Sequence, residues 1–269
     1  MMPCPDTKQT TERTATPSGF PVPLIVLPET GSTNNYLSQL CNEQEAAVKE
    51  FTTVIAERQT AGKGQRGNSW ESEDYRNLTF SFVLYPTFIE ARRQFLLSQF
   101  ISLSIKEELD EWTEGISIKW PNDIYWHEKK ICGILIENDL TGHHIGRCIA
   151  GIGVNINQEV FRSDAPNPVS LKQITGQEHD RYLILARIMK RIAHYYLLLQ
   201  ASPADDVARN IAGRYARALF RKEGFHRYAD AEGEFLARLL RVEPDGRFFL
   251  EDREGRERGY LFKEVQYLL

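Results

Sequence analysis

The sequence predicts an α+β protein that carries a small all-β unit at its C-terminal end. Three closely spaced apolar segments with short links between them are typical of an antiparallel meander. These segments are residues 116–120, 131–137 and 147–154. Apolar side chains recur at helical spacing in residues 90–112 and 180–200, which predicts two long amphipathic helices. From residue 225 onward, short apolar segments alternate with turns, and this pattern favours a small β-barrel.

Local signals predict the remaining elements. Three further strands lie upstream of the meander, at residues 24–27, 51–56 and 77–85, and another helix is predicted near 204–222. We expect Pro28 to end the first strand and a helix to run from about Thr33 to Asn42, with capping as one role for Ser32. The polar, proline-rich start indicates a disordered tail. The predicted boundaries are therefore 1–23 for the tail, 24–222 for the main domain and 223–269 for the C-terminal domain.

Composition narrows the classes of function. A formal net charge of −4 lacks the basic excess of a general nucleic-acid binder. No apolar run approaches the ~20 residues that span a bilayer, and the N-terminus does not have the pattern of a signal sequence. The widely spaced cysteines include no C-x-x-C pair, so we interpret them as reduced thiols. These observations predict a cytoplasmic protein that binds neither DNA nor membranes.

The most informative segment is residues 57–75, in which Gly62, Gly64 and Gly67 alternate with Lys63 and Arg66. Glycine lets the main chain approach a ligand closely, and successive main-chain N–H groups can form a concave site for an anion. The two cations add positive charge. The segment is therefore predicted to close over a phosphate-containing ligand, and an ordinary surface loop is the alternative.

Further motifs occur in a defined order around this glycine loop. They are Ser32-Thr33-Asn34, Lys119-Trp120-Pro121-Asn122-Asp123, the segment 130–137 and Gly151-Ile152-Gly153-Val154-Asn155. Together with the glycine loop, this set resembles the biotin–protein ligases from about Leu24 to Asn155. The Lys-Trp-Pro-Asn-Asp segment, followed by Lys-x-x-Gly-Ile-Leu-x-Glu, is the most specific part of the resemblance.

The resemblance implies a mixed β-sheet flanked by helices, related to class II aminoacyl-tRNA synthetases, with a small SH3-like C-terminal domain. It also implies a reaction in two steps. Biotin and ATP, with Mg²⁺, would form biotinyl-5′-AMP and pyrophosphate, and a lysine of a biotin carboxyl carrier protein would then accept the biotin and release AMP. Cations and N–H donors suit the crowded negative charge of the first step.

The same resemblance assigns residues to the site. Lys130, Lys119 and Asp123 are the expected catalytic residues: Lys130 would bridge biotin's carboxylate and the phosphate, and Lys119 would neutralise phosphate. Asp123 would bind Mg²⁺ indirectly, contact the ribose or orient the incoming lysine. The expected biotin-binding residues are Ser32, Thr33, Asn34, Gln59, Gly62, Lys63, Gly64, Gln65 and Lys130. The expected nucleotide-binding residues are Lys63, Arg66, Trp70, Asn122, Asp123, Gly151, Gly153 and Asn155, and no direct metal ligand is assigned.

Two loops and one strand end have implied roles of their own. Gly151 and Gly153 would let the adenine lie close to the backbone, with Asn155 bound to its edge. Residues 158–170 would form a second mobile loop, ordered by the adenylate. Closure of both loops would keep water from the activated ester.

The chain departs from the family pattern at two places. The family loop often reads Gly-Arg-Gly-Arg-x-Gly-Arg-x-Trp, and Lys63, Gln65 and Asn68 replace its arginines here. The charge missing at Gln65 predicts weaker retention of the adenylate, which Gln65→Arg would strengthen. Only about 23 residues precede the first predicted strand, so we expect a ligase without the N-terminal DNA-binding domain of some relatives. The alternatives are a lipoate ligase or octanoyltransferase, a ligand sensor or interaction module without turnover, and a DNA-binding repressor. Exposed sheet edges permit a homodimer.

Overall fold

The computed structural model describes residues 19–44, 47–64, 69–201 and 205–268. Most of the predicted tail therefore lies outside the described residues. Within them, the main strands are β1 (Leu24–Thr30), β2 (Thr53–Gln59), β3 (Leu78–Leu84), β4 (Ile116–Lys119), β5 (Asp123–Trp126), β6 (Lys129–Thr141) and β7 (His144–Val154). The helices are α1 (Thr33–Glu43), α2 (Phe95–Leu109), α3 (Leu171–Thr175), α4 (Arg181–Ala201) and α5 (Asp205–Arg217).

These main strands form one sheet in the order β1-β2-β3-β7-β6-β5-β4. The β1–β2 pair is parallel and every other neighbouring pair is antiparallel, so the sheet is mixed as expected. Helix α1 packs on β2, β3 and β7, whereas α2 packs on β4 and β5 and contacts α4 and α5. In β2, Val54 and Ala56 belong to the core beside α1, and Ile55 belongs to the core on the other face. This alternation follows from the two-residue period of a strand.

Strand β1 corrects one prediction, because Pro28 does not end it. The strand continues to Thr30, which pairs with Gln59 of β2. β1 is the edge strand of the sheet. A proline can occupy an edge strand because its missing N–H then removes no hydrogen bond from the partner.

The predicted meander is correct in type but contains one more strand than expected. β5 follows β4 after a short turn, and β4, β5, β6 and β7 are successive antiparallel neighbours. Helix α2 begins at Phe95 after a 3₁₀ turn at Ala91–Arg93, and α5 ends at Arg217, short of its predicted end. Among the described residues, no helix combines the length and apolarity needed to cross a membrane.

The C-terminal part forms a second, antiparallel sheet. Its described strands are β8 (His226–Asp230), β9 (Gly233–Val242), β10 (Phe248–Asp252), β11 (Glu257–Tyr260) and β12 (Gln266–Tyr267). They are ordered β11-β10-β9-β8-β12. β8 escaped sequence prediction because its five residues, HRYAD, contain no apolar run. Tyr228, Phe248 and Leu250 of this sheet belong to the same buried cluster as Phe100 of α2.

Residues 218–220 connect the last helix to this second sheet and cover the free edge of β4. The Ile118 N–H donates to the Ala218 carbonyl at 2.8 Å, and the Phe220 N–H donates to the Ile118 carbonyl at 2.8 Å. This edge of the large sheet is therefore hydrogen-bonded within the chain, next to the Lys119–Asp123 turn.

Candidate functional site

A cavity of about 1150 Å³ lies above β6 and β7, between the start of α1 and the C-terminal sheet. Its volume suits a ligand somewhat larger than a typical drug molecule. Most residues that the sequence assigned to a site line this one cavity. They are Ser32, Thr33, Asn34, Gln59, Lys63, Gly64, Trp70, Lys119, Asn122, Asp123, Lys130, Gly151, Gly153 and Asn155.

Gln65 and Arg66 lie outside the described residues. The structure therefore does not bear on the prediction for Gln65→Arg. Gly62 does not line the described cavity, and its carbonyl accepts a hydrogen bond from the Trp70 N–H at 3.0 Å, so its role in biotin binding stays a prediction. Lys63 and Ser69 form a β-bridge beside it. Gly62 therefore closes the base of a hairpin, and a side chain there would meet the Trp70 carbonyl.

The start of α1 contributes a buried polar network. Ser32 occupies the N-cap position, but its side chain makes no capping hydrogen bond. The Thr33 N–H donates to Gln59 Oε1 at 2.8 Å, and the Thr33 hydroxyl lies 3.2 Å from the same oxygen. Asn34 Nδ2 donates to Glu137 Oε2 at 2.7 Å. Capping alone does not describe this segment, because its polar groups bond to β2 and β6.

Ser81 joins these side chains from below. Its hydroxyl lies 2.7 Å from Thr33 Oγ1 and 2.5 Å from Asn34 Oδ1, and the residue is fully buried. Gly151 is the β7 partner of Ser81, and a Cβ at 151 would lie 2.1 Å from Asn34 Oδ1. A glycine at 151 therefore makes room for the amide of Asn34.

Trp70 lies on a ledge formed by Gly133 and Gly153. A Cβ at Gly153 would lie 2.2 Å from Trp70 Cε2, and one at Gly133 would lie 2.9 Å from Trp70 Cζ3. The family resemblance implied that adenine lies close to the backbone at Gly153. In this structure the indole of Trp70 occupies part of that space. The Trp70 Nε1 donor is buried and has no hydrogen-bond partner among the described residues.

Lys130 holds the central positive charge of the cavity. Its Nζ lies 2.7 Å from Asp123 Oδ2 and 5.9 Å from the centre of a Trp70 ring. Lys130 is half-buried, whereas Lys129 beside it is exposed. Of these two lysines, only Lys130 lines the cavity, since successive residues of a strand point to opposite faces.

Lys119 lies in an aromatic corner of the same cavity. Its Nζ donates to the Tyr125 hydroxyl at 3.0 Å and lies 5.1 Å from the centre of the Tyr267 ring. Burial lowers the pKa of Lys119, and the nearby Asp123 carboxylate offsets part of that effect. An anionic ligand would favour the charged ammonium in this position.

Asn155 ends β7 with one unused acceptor. Its Nδ2 donates to the Val169 carbonyl at 3.1 Å, whereas its buried Oδ1 has no hydrogen-bond partner among the described residues. Unpaired buried acceptors are uncommon in native structures. The oxygen is therefore available to a donor group of a ligand.

Sequence reasoning missed two walls of the cavity. Phe161, Ser163 and Asn167 contribute from the loop at 158–170, which we expected to be mobile but did not assign to named contacts. Phe262, Lys263, Gln266 and Tyr267 contribute from the C-terminal sheet. No local signal marks the second group, because only the packing of the two sheets brings these residues to the cavity.

The geometry combines three chemical features. Lys130 and Lys119 supply cations, Asp123 supplies a carboxylate, and the hydroxyls and amides around Thr33 supply neutral donors and acceptors. Among the described residues, no cluster of three or more His, Cys, Asp or Glu side chains could hold a metal ion. The cavity can therefore bind an elongated ligand with a polar neutral end and an anionic centre.

Comparison with known proteins agrees with this geometry. The biotin/lipoate A/B protein ligase family matches residues 26–155. A biotin protein ligase from Aquifex aeolicus, solved in complex with biotin and ATP, is 30% identical and has a TM-score of 0.74, over 91% of this chain and 99% of that protein. The bifunctional ligase/repressor BirA of Bacillus subtilis is 28% identical over 247 residues, which are 85% of this chain and 69% of its own length.

A third relative is the biotin–[acetyl-CoA-carboxylase] ligase of Mycobacterium tuberculosis. It is 28% identical over 176 residues, which are 63% of this chain and 62% of its own length. The matched family segment contains the glycine loop and all the motifs that line the cavity, and the structural similarity extends over both sheets. The chain therefore belongs to the biotin/lipoate A/B protein ligase family.

Proposed function

We propose that this protein is an ATP-dependent biotin–protein ligase. In the first step, a carboxylate oxygen of biotin attacks the α-phosphorus of ATP, the bond to the β-phosphate breaks, and pyrophosphate leaves. In the second step, the amine of a carrier lysine attacks the acyl carbon of biotinyl-5′-AMP. The acyl–oxygen bond breaks, AMP leaves, and the amine loses a proton to give the amide.

The placement of Lys130 carries this proposal. Its ammonium lies in the cavity beside Asp123, next to the glycine ledge and within 5.9 Å of the Trp70 ring. A cation there can stabilise the negative charge that gathers when a carboxylate approaches a phosphate. The pair with Asp123 holds the ammonium at this point before a ligand arrives.

The polar network at the start of α1 is the proposed site for the neutral ring of biotin. Ser32, Thr33, Asn34 and Gln59 lie at one end of the cavity and offer both donors and acceptors, as a ureido group requires. Lys63 and Gly64 lie on the hairpin above this end, and Lys63 Nζ donates to Asn35 Oδ1 at 2.8 Å. Both residues would cover the biotin tail.

The other end is the proposed site for the nucleotide. The free Asn155 Oδ1 suits the amino group of adenine, and Gly153 leaves room for a flat group once the indole of Trp70 moves. Trp70 would then stack on the base. Lys119 lies where it can neutralise phosphate, and Asn122 lies beside Asp123 on the same turn.

Mg²⁺ is proposed as a companion of ATP. It commonly binds through substrate phosphates and one or two carboxylates. Asp123 fits the role of an indirect partner, since it is a carboxylate in the cavity that already pairs with Lys130. When bound, the ion would neutralise phosphate charge. Lys130 would position the carboxylate of biotin.

The proposed partner is a biotin carboxyl carrier domain, as the name of the Mycobacterium tuberculosis relative suggests for that enzyme. Residues of both sheets line the cavity, and the carrier would present its lysine to the proposed adenylate there. A cytoplasmic location, a possible homodimer and the absence of DNA binding stay predictions from the sequence. So do the domain boundaries at 24–222 and 223–269.

The test is biotin transfer with purified components. Wild type, Lys130→Ala and Lys129→Ala are incubated with biotin, Mg-ATP and a carrier domain, and biotin incorporation is measured. We expect incorporation by wild type and Lys129→Ala, and a loss of about a hundredfold or more in Lys130→Ala, because one preorganised charge contributes on that order. Equal loss in both variants would contradict the role of Lys130. Transfer of lipoate in place of biotin by wild type would contradict the proposed substrate.

A further inference from the structure

The carboxylate of Glu71 makes contacts that the reaction above does not use. Glu71 follows Trp70 directly and accepts hydrogen bonds from the loop at 158–170. The Arg162 N–H donates to Oε1 at 2.8 Å, the Ser163 N–H donates to Oε2 at 2.8 Å, and Gln158 Nε2 lies 3.2 Å from Oε1. Both carboxylate oxygens are therefore bound to one short stretch of a different loop.

These contacts favour the ionised carboxylate. Burial raises the pKa of Glu71, but the hydrogen bonds from Ser163, Arg162 and Gln158 outweigh burial and hold the pKa below its ordinary value. Hydrogen bonds to a charged acceptor are roughly twice as strong as those between neutral groups. The contact between the two loops is thus charge-assisted at neutral pH.

Gln158 fixes the near end of the loop to the rest of the protein. It is buried, and its Oε1 accepts from Asn77 Nδ2 at 2.5 Å and from the Glu73 N–H at 3.0 Å. The segment between Gln158 and Ser163 therefore begins at a rigid point and reaches Glu71 within a few residues.

The far end of the same loop is bound to the backbone of Lys130. The Lys130 N–H donates to the Asn167 carbonyl at 2.8 Å, and the Val169 N–H donates to the Lys130 carbonyl at 3.0 Å. Phe161, Ser163 and Asn167 between these ends line the cavity. The loop therefore spans the cavity from Glu71 to the central lysine.

On its other side, Glu71 is attached to the base of the glycine hairpin. The Trp70 N–H donates to the Gly62 carbonyl, and Lys63 bridges Ser69. The indole of Trp70 lies on the ledge of Gly133 and Gly153. A displacement of Glu71 would therefore disturb the position of the Trp70 indole on this ledge.

We propose that Glu71 is a positioning residue that couples Trp70 to the loop at 158–170, so that the indole and this loop keep a fixed relation beside the bound adenylate. This proposal rests on the proposed function, because it concerns retention of biotinyl-5′-AMP. Its physical basis is geometric. A carboxylate accepts from two diverging N–H groups at once, whereas an amide at this position would direct its NH₂ group against one of them.

The experiment measures release of the adenylate from four proteins. Wild type, Glu71→Ala, Glu71→Gln and the control Glu73→Gln are loaded with biotin and Mg-ATP, and the dissociation rate of biotinyl-5′-AMP is followed after dilution. Glu73 is exposed on the same segment, and its substitution leaves its backbone N–H in place. We expect release about tenfold faster in Glu71→Ala, a smaller increase in Glu71→Gln, and no change in Glu73→Gln.

A second measurement separates positioning from general loss of structure. In hydrogen exchange, Glu71→Ala should expose the amides of Arg162 and Ser163, with protection of the α2 and β7 amides unchanged. Release rates in Glu71→Ala and Glu71→Gln equal to wild type would overturn the coupling. Where Glu71→Ala does not fold, the comparison of Glu71→Gln with Glu73→Gln decides. A wild type that forms no adenylate would instead reject the proposed function, so the two failures are distinct.

Discussion

At the residue scale, the proposed biotin end of the cavity is supported by a buried hydroxyl that does not itself line the cavity. Ser81 is buried in β3 and lies within hydrogen-bonding distance of Thr33 Oγ1 and Asn34 Oδ1. Asn34 is bound on its other side by Glu137. A buried polar network of this kind fixes side-chain orientation when all its members are bonded. Ser81 thus determines which groups of Thr33 and Asn34 point into the cavity.

We expect Ser81→Ala to raise the KM for biotin roughly tenfold, with the KM for ATP within about twofold of wild type. The substitution removes the hydroxyl that Thr33 Oγ1 and Asn34 Oδ1 share, and the loss of a partner in a buried network costs about 1–3 kcal/mol. Pyrophosphate exchange with varied biotin or ATP provides both constants.

The matched control for this prediction is Ser104→Ala in α2. Ser104 is equally buried, but its hydroxyl donates to the Phe100 carbonyl of its own helix at 2.8 Å. Its substitution should leave both constants unchanged. Equal changes in the two KM values of Ser81→Ala would show a general disturbance of the fold and contradict the prediction.

At the element scale, the turn between β4 and β5 carries the Lys119–Asp123 motif and is held by the C-terminal sheet. The Trp120 ring stacks on Phe248 of β10 with centroids 4.8 Å apart, and its Nε1 donates to the Gly246 carbonyl at 3.0 Å. Tyr215 donates its hydroxyl to the Pro121 carbonyl at 2.6 Å. These contacts of Trp120 join the larger sheet to the C-terminal sheet.

We expect Phe248→Ala to lower the free energy of unfolding by about 3–5 kcal/mol, the usual cost of removing a buried phenyl ring. Adenylate formation per folded molecule should also fall, because Trp120 loses the surface that fixes the Lys119–Asp123 turn. Urea unfolding and a single-turnover assay measure the two effects.

Phe249→Ala is the control for this variant. Phe249 is the next residue of β10 and is only partly buried, with the Arg241 guanidinium 4.1 Å from its ring centre. We expect a smaller loss of stability and unchanged adenylate formation. Wild-type activity per folded Phe248→Ala molecule would contradict the link between the C-terminal sheet and the motif.

At the scale of the whole molecule, the two sheets are not energetically separate. Tyr228, Phe248 and Leu250 of the C-terminal sheet are buried in the same cluster as Phe100 and Ile118 of the larger unit. The backbone at 218–220 also hydrogen-bonds to β4. Because elements that bury a common core unfold together, the sequence boundary at 222/223 need not be a boundary of cooperativity.

We therefore expect one cooperative unfolding transition for the chain. Far-UV circular dichroism, which follows the helices, and tryptophan fluorescence, which includes Trp120 between the sheets, should give the same urea midpoint. The shared core and the hydrogen bonds between residues 218–220 and β4 are the reason to expect the same midpoint from both probes. Two separated transitions would contradict it and would support independent domains.

Some features of the fold were predictable because their cause is local. The apolar patterns of β6, β7 and α4 predicted these elements, since the spacing of apolar residues along the chain indicates which positions are buried. β5 and β8 were missed because both are short, at four and five residues, and cross-strand pairing decides their conformation. Pro28 was misjudged because only the position of β1 at the sheet edge makes a proline acceptable there.

The sequence by itself determined the chemistry of this protein: lysines, an aspartate and closely spaced glycines in the order of the biotin–protein ligase motifs, on an α+β chain. Only the tertiary structure decided which of them meet, and it added Ser81, Glu71 and the C-terminal wall to the site. The physical reason is distance along the chain. Glu71 and Ser163 are 92 positions apart, and Trp120 and Gly246 are 126 apart, so their contacts depend on packing and leave no mark on local sequence patterns.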